Sequence, residues 1–185
     1  VSVIDYRVSR IDRSYAAAPT VRKDRFEAFM NRHLRLSPLY HSLSELQKAD
    51  HPYDAVIAGS DQIWNETILN GLDPAYFCAF GKPNLRRIIY GASIGSDTLS
   101  QSSRFLMQRF LQYPDFISVR EESMLPLLRP LTGKALTPVL DPTLLLTPDF
   151  YLTLAKLEAP ASAYIYLHYV HHSGENPDLD QAAAE

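Results

Sequence analysis

The sequence predicts an α/β fold, a Rossmann-like parallel sheet in a three-layer α/β/α sandwich, and three observations carry that prediction. Short apolar runs alternate with helical stretches almost throughout the chain. The run Ala55-Val56-Ile57-Ala58 is apolar at every position, as a parallel strand covered on both faces requires. It stops at Gly59-Ser60-Asp61-Gln62, which places polar groups at the carboxyl edge of the sheet, where open α/β sheets bind ligands.

In chain order, Val1 to Tyr6 reads as a strand, and Ser9 to Ala18 is polar and irregular. A helix is expected from Thr20 to Leu34, with Phe26, Phe29, Met30, His33 and Leu34 at helical spacing and His33 packed or half-buried. Ser42 to Lys48 reads as a short helix capped by Ser42 or Ser44. The strand ending at Ala58 follows. Residues 65–85 form a loop-rich excursion, punctuated by Pro74, Gly81 and Pro83 and anchored by Tyr76-Phe77-Cys78.

Arg86 to Tyr90 is the next strand, turned by Gly91 to Ser96, and a helix runs from Leu99 to Gln112. Asp115 to Val119 is a strand ending at Arg120. The following helix carries the stripe Met124, Leu127, Leu128, Leu131. Pro126 is expected in its first turn, with Ser123 near the cap. Pro138-Val139-Leu140 leads to Asp141-Pro142-Thr143, and Thr147-Pro148 starts a helix. Ala159 to Ser162 resembles a linker before a fresh strand, Ala163 to Val170. The expected division is a domain over 1–158, its first strand missing, then a linker and the start of a second domain over 159–185.

The chain has 185 residues, 46% hydrophobic and 21% charged, enough for one full domain with a sizeable core. A net charge of −3 argues against a nucleic-acid footprint. No apolar run approaches the roughly 20 residues of a membrane span, and no signal-peptide pattern opens the chain. The single cysteine, Cys78, rules out an intrachain disulfide and reads as a reduced core thiol in a cytoplasmic protein. Both ends look cut, so the sequence reads as a piece of a longer protein.

The familiar nucleotide and hydrolase motifs are missing: G-x-x-x-x-G-K-[ST], G-x-G-x-x-G and G-x-S-x-G. The histidines have no ligand spacing, so no metal site is expected. Three strand ends do carry polar groups that could meet in one cleft: Ser60-Asp61-Gln62 after Gly59, Ser93 between Gly91 and Gly95, and Arg120 with Glu121 and Glu122. The glycines would let backbone N–H groups approach an anion. Arg120 could hold a carboxylate or phosphate, or could simply pair with Glu121, Glu122 or Asp141. Both readings stand at this point. Asp141 reads as a structural turn acid before Pro142.

Four segments, in order, resemble the polysaccharide pyruvyl transferase family: Tyr53 to Asn65, with its Gly-Ser-Asp-Gln-Ile-Trp core; Arg87 to Gly95; Ile117 to Ser123; and Val139 to Leu145. Val1 to Arg7 resembles the family's second strand. The resemblance implies the N-terminal half of a two-domain glycosyltransferase-like (GT-B) fold. It also implies a pyruvyl group moved from phosphoenolpyruvate onto sugar hydroxyls as a ketal, in exopolysaccharide biosynthesis. The implied partners are phosphoenolpyruvate as donor substrate and a saccharide or lipid-linked saccharide as acceptor, with no cofactor; oligomeric state stays open.

On this reading Arg120 binds the donor's anionic groups, and Gly59, Ser60, Asp61, Gln62 and Ser93 line the cleft. The family's catalytic histidine and further arginines belong to a C-terminal domain, and none of His168, His171 or His172 maps onto them. The 185 residues alone are therefore expected to be inactive. Two alternatives share the architecture: a nucleotide-sugar glycosyltransferase, and a non-catalytic saccharide-binding member.

Overall fold

The computed structural model describes residues 2–6 and 21–155. The chain divides into two compact units, Val1–Leu145 and Leu146–Glu185. In the first unit, β1 (Ala55–Ala58), β2 (Arg86–Ala92), β3 (Phe116–Val119) and β4 (Leu136–Pro138) form one parallel sheet in that spatial order. Ile57 pairs with Ile88, Ile88 with Phe116, and Ile117 with Leu136. Because every neighbouring pair runs parallel, each strand leaves at the same edge as its neighbour. The segments after residues 58, 92, 119 and 138 therefore gather in one row.

Helices α1 (Val21–His33), α2 (Leu43–Lys48), α3 (Gln101–Phe110) and α4 (Leu125–Leu128) accompany the sheet, which makes the first unit α/β. Ser42 caps α2 by accepting from Glu45 N–H at 3.2 Å, and Ser100 caps α3 by accepting from Ser103 N–H at 3.1 Å. The Ser100 hydroxyl also donates to Glu66 at 2.7 Å, tying the loop after Trp64 to the start of α3. Residues 2–6 run extended, with parallel bridges from Val3 to Leu36 and from Tyr6 to Tyr40.

The core lies on one face of the sheet. Trp64 and Phe77 are fully buried and stack with ring centroids 4.9 Å apart, and Phe110 closes on Phe77 at 5.3 Å. The Trp64 indole N–H donates to the Tyr76 carbonyl at 3.2 Å, so the ring is buried with its polar atom satisfied. Ile89, Met107, Leu111, Val119 and Leu128 complete this packing.

Arg87 holds the 65–85 excursion against β2. Its guanidinium donates to the carbonyls of Cys78, Leu85, Phe80 and Lys82 at 2.8–2.9 Å, a charge-assisted clasp on a segment with little regular structure. Cys78 ends the 3-10 turn Pro74–Phe77 in the left-handed region, at φ 56°, and burial pushes its thiol up to about 12.

Several expectations are corrected. The helix expected across the Met124–Leu131 stripe is broken into a 3-10 turn (Glu122–Met124), α4 and a second 3-10 turn (Arg129–Leu131). Pro126 fits the first turn of α4, but Pro130 lacks the N–H and its ring crowds the carbonyl four residues back, so the α-helix cannot continue. The stripe still faces inward at Met124 and Leu128. Met124, directly after Ser123, is the N-cap of α4, and Glu121 stands at the N-cap of the preceding 3-10 turn; neither makes a side-chain cap bond. His33 is exposed, with its ring 4.7 Å from Phe29. Helix α3 is a residue or two shorter at each end than expected.

The opposite sheet face is open, with Ile57 67% and Phe116 59% exposed. The described residues form no second helical layer there. In the second unit, α5 (Pro148–Ala155) starts where expected, with Thr147 Oγ1 accepting from Phe150 N–H at 3.4 Å. The irregular stretch 9–18, the linker 159–162, the strand 163–170 and the terminal helix lie outside the described residues.

The packing sets a contrast. Phe77→Ala removes a fully buried ring with two aromatic neighbours and is expected to cost about 3–5 kcal/mol. Phe26→Ala, 62% exposed on α1, is expected to change stability by less than about 0.5 kcal/mol. Urea unfolding of both variants checks the difference.

Candidate active site

Gly59 ends β1 with φ +119°, and a Cβ there would collide with the Tyr90 carbonyl. Only glycine lets the strand end come this close to β2. The Gly59–Ser60 peptide is cis. Ser60 Oγ then lies 2.8 Å from the Gly91 carbonyl and 3.2 Å from Asp141 Oδ2, so its one proton serves two acceptors. Asp61 is left-handed at φ 65°, a region Asp tolerates better than most residues, and its side chain is 88% exposed. Its backbone is pinned because its carbonyl accepts from Ser93 N–H at 2.9 Å.

The neighbouring strand ends supply the rest. The Ser118 hydroxyl accepts from Gly91 N–H and donates to the Ile89 carbonyl, each at 3.0 Å. It thereby fills the register irregularity between Ile89 and Ala92 where β2 and β3 part. Arg120 N–H donates to the Ala92 carbonyl at 3.1 Å, which fixes its Cα at the edge beside β2. Its guanidinium donates from Nε to Glu121 Oε1 at 2.7 Å and from Nη1 to Asp141 Oδ2 at 3.2 Å, and Nη1 stands 3.9 Å from Asp61 Oδ1. Glu121 first, and then Asp141, hold its pKa above the usual arginine value. Nη2 has no hydrogen bond among the described residues, and the buried Glu121 Oε2 has none either.

Asp141 is the shared acceptor. Oδ1 takes the Thr143 N–H at 2.9 Å and the Thr143 hydroxyl at 2.7 Å, while Oδ2 faces Arg120 and Ser60. The Thr143 hydroxyl and N–H lower its pKa to about 2, with lesser contributions from Arg120 and Ser60 and with burial opposing.

The structure thus brings Ser60, Asp61 and Arg120 together, with Gly59 at the base. Ser93 is buried: its carbonyl accepts from Trp64 N–H at 3.1 Å and its hydroxyl from Gly95 N–H at 3.0 Å. Gln62 Oε1 accepts from Asn65 Nδ2 at 2.6 Å, beneath Gly95. Both support the rim from behind. The ion pairing considered for Arg120 does occur, with Glu121 and Asp141. Asp141 is a turn acid, as expected, yet it also binds two of the cleft residues. The available signal was its position after Val139-Leu140, the same strand-end placement as Ser60 and Arg120.

A family model described as polysaccharide pyruvyl transferase matches residues 1–182, nearly the whole chain. No curated protein and no solved structure matches it.

The Asp141 contacts predict a pH dependence. Its folded-state pKa is depressed, so the stability linked to its ionised form is complete above the ordinary value of 3.8 and lost as pH falls toward about 2. Urea unfolding across the acid range should show that loss, and Asp141→Asn should remove this part of the slope. An unchanged slope in the variant would contradict the assignment.

Proposed function

The chain belongs to the polysaccharide pyruvyl transferase family, and on that premise we propose that its strand-end cluster forms one wall of a cleft that moves a pyruvyl group from phosphoenolpyruvate onto sugar hydroxyls as a ketal. The observation that carries this reading is the guanidinium of Arg120, held on two sides by Glu121 and Asp141, with its Nη2 edge unbonded among the described residues and next to the exposed Asp61 carboxylate. A fixed, permanently charged edge suits the carboxylate or phosphate of phosphoenolpyruvate, because charge-assisted hydrogen bonds are about twice as strong as neutral ones.

Three carboxylates (Asp61, Glu121, Asp141) against one guanidinium leave the cluster two negative charges in excess. An anionic donor therefore needs further cations. We assign these, with the acid that protonates the enol carbon, to a second domain of a GT-B arrangement in a longer chain. In that arrangement a second helical layer covers the open sheet face, completing a three-layer sandwich. Ser60 and Asp61 face the substrates, while Gly59, Gln62 and Ser93 shape the rim behind them. The acceptor is a saccharide or lipid-linked saccharide met on the cytoplasmic side, and phosphoenolpyruvate serves as substrate without a cofactor. No described helix is long and apolar enough to cross a membrane.

Two measurements on the full-length protein test the reading. Phosphoenolpyruvate should raise the melting temperature and a sugar nucleotide should not, since a ligand specific to the folded state stabilises it. Stabilisation by the sugar nucleotide alone would sink the proposal. Arg120→Lys keeps the charge but loses the free Nη2 edge. A charged hydrogen bond is worth about 1.5–3 kcal/mol, so the KM for phosphoenolpyruvate should rise roughly 10- to 150-fold.

A further inference from the structure

Within the proposed pyruvyl transfer, on which this inference rests, we propose that Asp61 is the group that takes the acceptor sugar's hydroxyl, that Glu121 and Asp141 hold the cleft, and that Ser60 faces the substrates without accepting that proton. Of the three carboxylates around Arg120, two are already committed. Asp141 accepts from Thr143 twice, from Arg120, and faces the Ser60 hydroxyl. Glu121 gives Oε1 to Arg120 Nε at 2.7 Å, and its other oxygen is buried away from solvent. Of the three, Asp61 keeps acceptor capacity facing water: its side chain is 88% exposed, and its one charged partner among the described residues is Arg120 Nη1 at 3.9 Å.

Its aim is fixed despite that exposure. The left-handed backbone at φ 65° and the bond from Ser93 N–H to its carbonyl pin the Cα, so the carboxylate starts from a set position at the rim. Ser60 cannot substitute, because its only proton is shared between Gly91 and Asp141. Charge also selects the ligand. A neutral polyol meets no repulsion from a cluster with two excess negative charges, and its hydroxyl donates readily to a carboxylate. An anionic donor on the Arg120 Nη2 edge would then sit beside that hydroxyl.

The step balances without an outside reagent. As the hydroxyl oxygen bonds to C2 of phosphoenolpyruvate, its proton passes to an Asp61 oxygen while C3 accepts a proton to become the methyl group. The second sugar hydroxyl then adds to C2 as the C2–O bond to phosphate breaks. The two hydroxyl protons end on C3 and on the departing phosphate, so Asp61 relays a proton and consumes none.

The test uses the full-length protein and Asp61→Asn, a substitution that keeps shape and suits the left-handed backbone. Methyl glycosides of glucose, galactose and mannose are the acceptor probes, and phosphoenolpyruvate is the donor probe. Expected are an unchanged melting temperature, donor affinity within about twofold, loss of glycoside saturation-transfer NMR signals, and a fall of about 10²-fold or more in kcat/KM for the glycoside. Equal glycoside signals and kinetics in variant and wild type would overturn the assignment. So would a parallel loss of donor affinity, which would place Asp61 with Arg120 on the donor. Failure of the unsubstituted protein to bind phosphoenolpyruvate overturns the donor reading instead, and the glycoside comparison, which needs no donor, still decides for or against Asp61.

Discussion

One carboxylate joins the ends of three strands. Asp141 follows β4, and through Oδ2 it meets Ser60 beyond β1 and Arg120 beyond β3. Oδ1 is meanwhile fixed by Thr143 in its own turn. Without that shared acceptor, the hydroxyl of Ser60 and the guanidinium of Arg120 would each have to find a position against solvent. Side chains as long as arginine lose about 2 kcal/mol of rotamer entropy on ordering, so a fixed partner largely determines where such a side chain points. The sheet makes the meeting possible, because four parallel strands in sequence order release their chains at one edge.

The same logic recurs below the cleft. Arg87 satisfies four carbonyls of the 65–85 excursion, and the Trp64–Phe77 stack sits beneath the loop that carries Ser60 and Asp61. A polar clasp and an aromatic layer hold a segment that regular secondary structure does not. Gln62, Asn65 and Ser93 then connect the loop to the turn at Gly95. At this edge the Asp61 side chain is exposed, and Arg120 Nη2 makes no hydrogen bond among the described residues.

The strand positions were legible because each carries a short apolar run closed by a glycine or a polar turn, and those runs fall where β1, β2 and β3 form. The meeting of strand ends was legible to the same extent: Ser60, Asp61 and Arg120 were placed near one another by strand-end logic, and they do come together. Three things were hidden. Pro130 interrupts the apolar stripe of residues 124–131, and periodicity does not register a missing N–H. The roles of Ser93 and Gln62 as supports depend on side chains turning inward, which residue type cannot reveal. Asp141 was readable as a turn acid and as one possible partner of Arg120, but its simultaneous contact with Ser60 comes from the order of strands in the sheet.

If Asp141 organises the strand ends, Arg120 and Asp141 are energetically coupled, and a double-mutant cycle on Arg120→Met and Asp141→Asn measures that coupling. Unfolding free energies of the wild type, both single variants and the double variant are measured in urea at neutral pH. A coupling of at least about 0.5 kcal/mol is predicted, the range found for residues in one hydrogen-bond network. Additivity within about 0.3 kcal/mol would contradict it, since sites that share no partner behave that way.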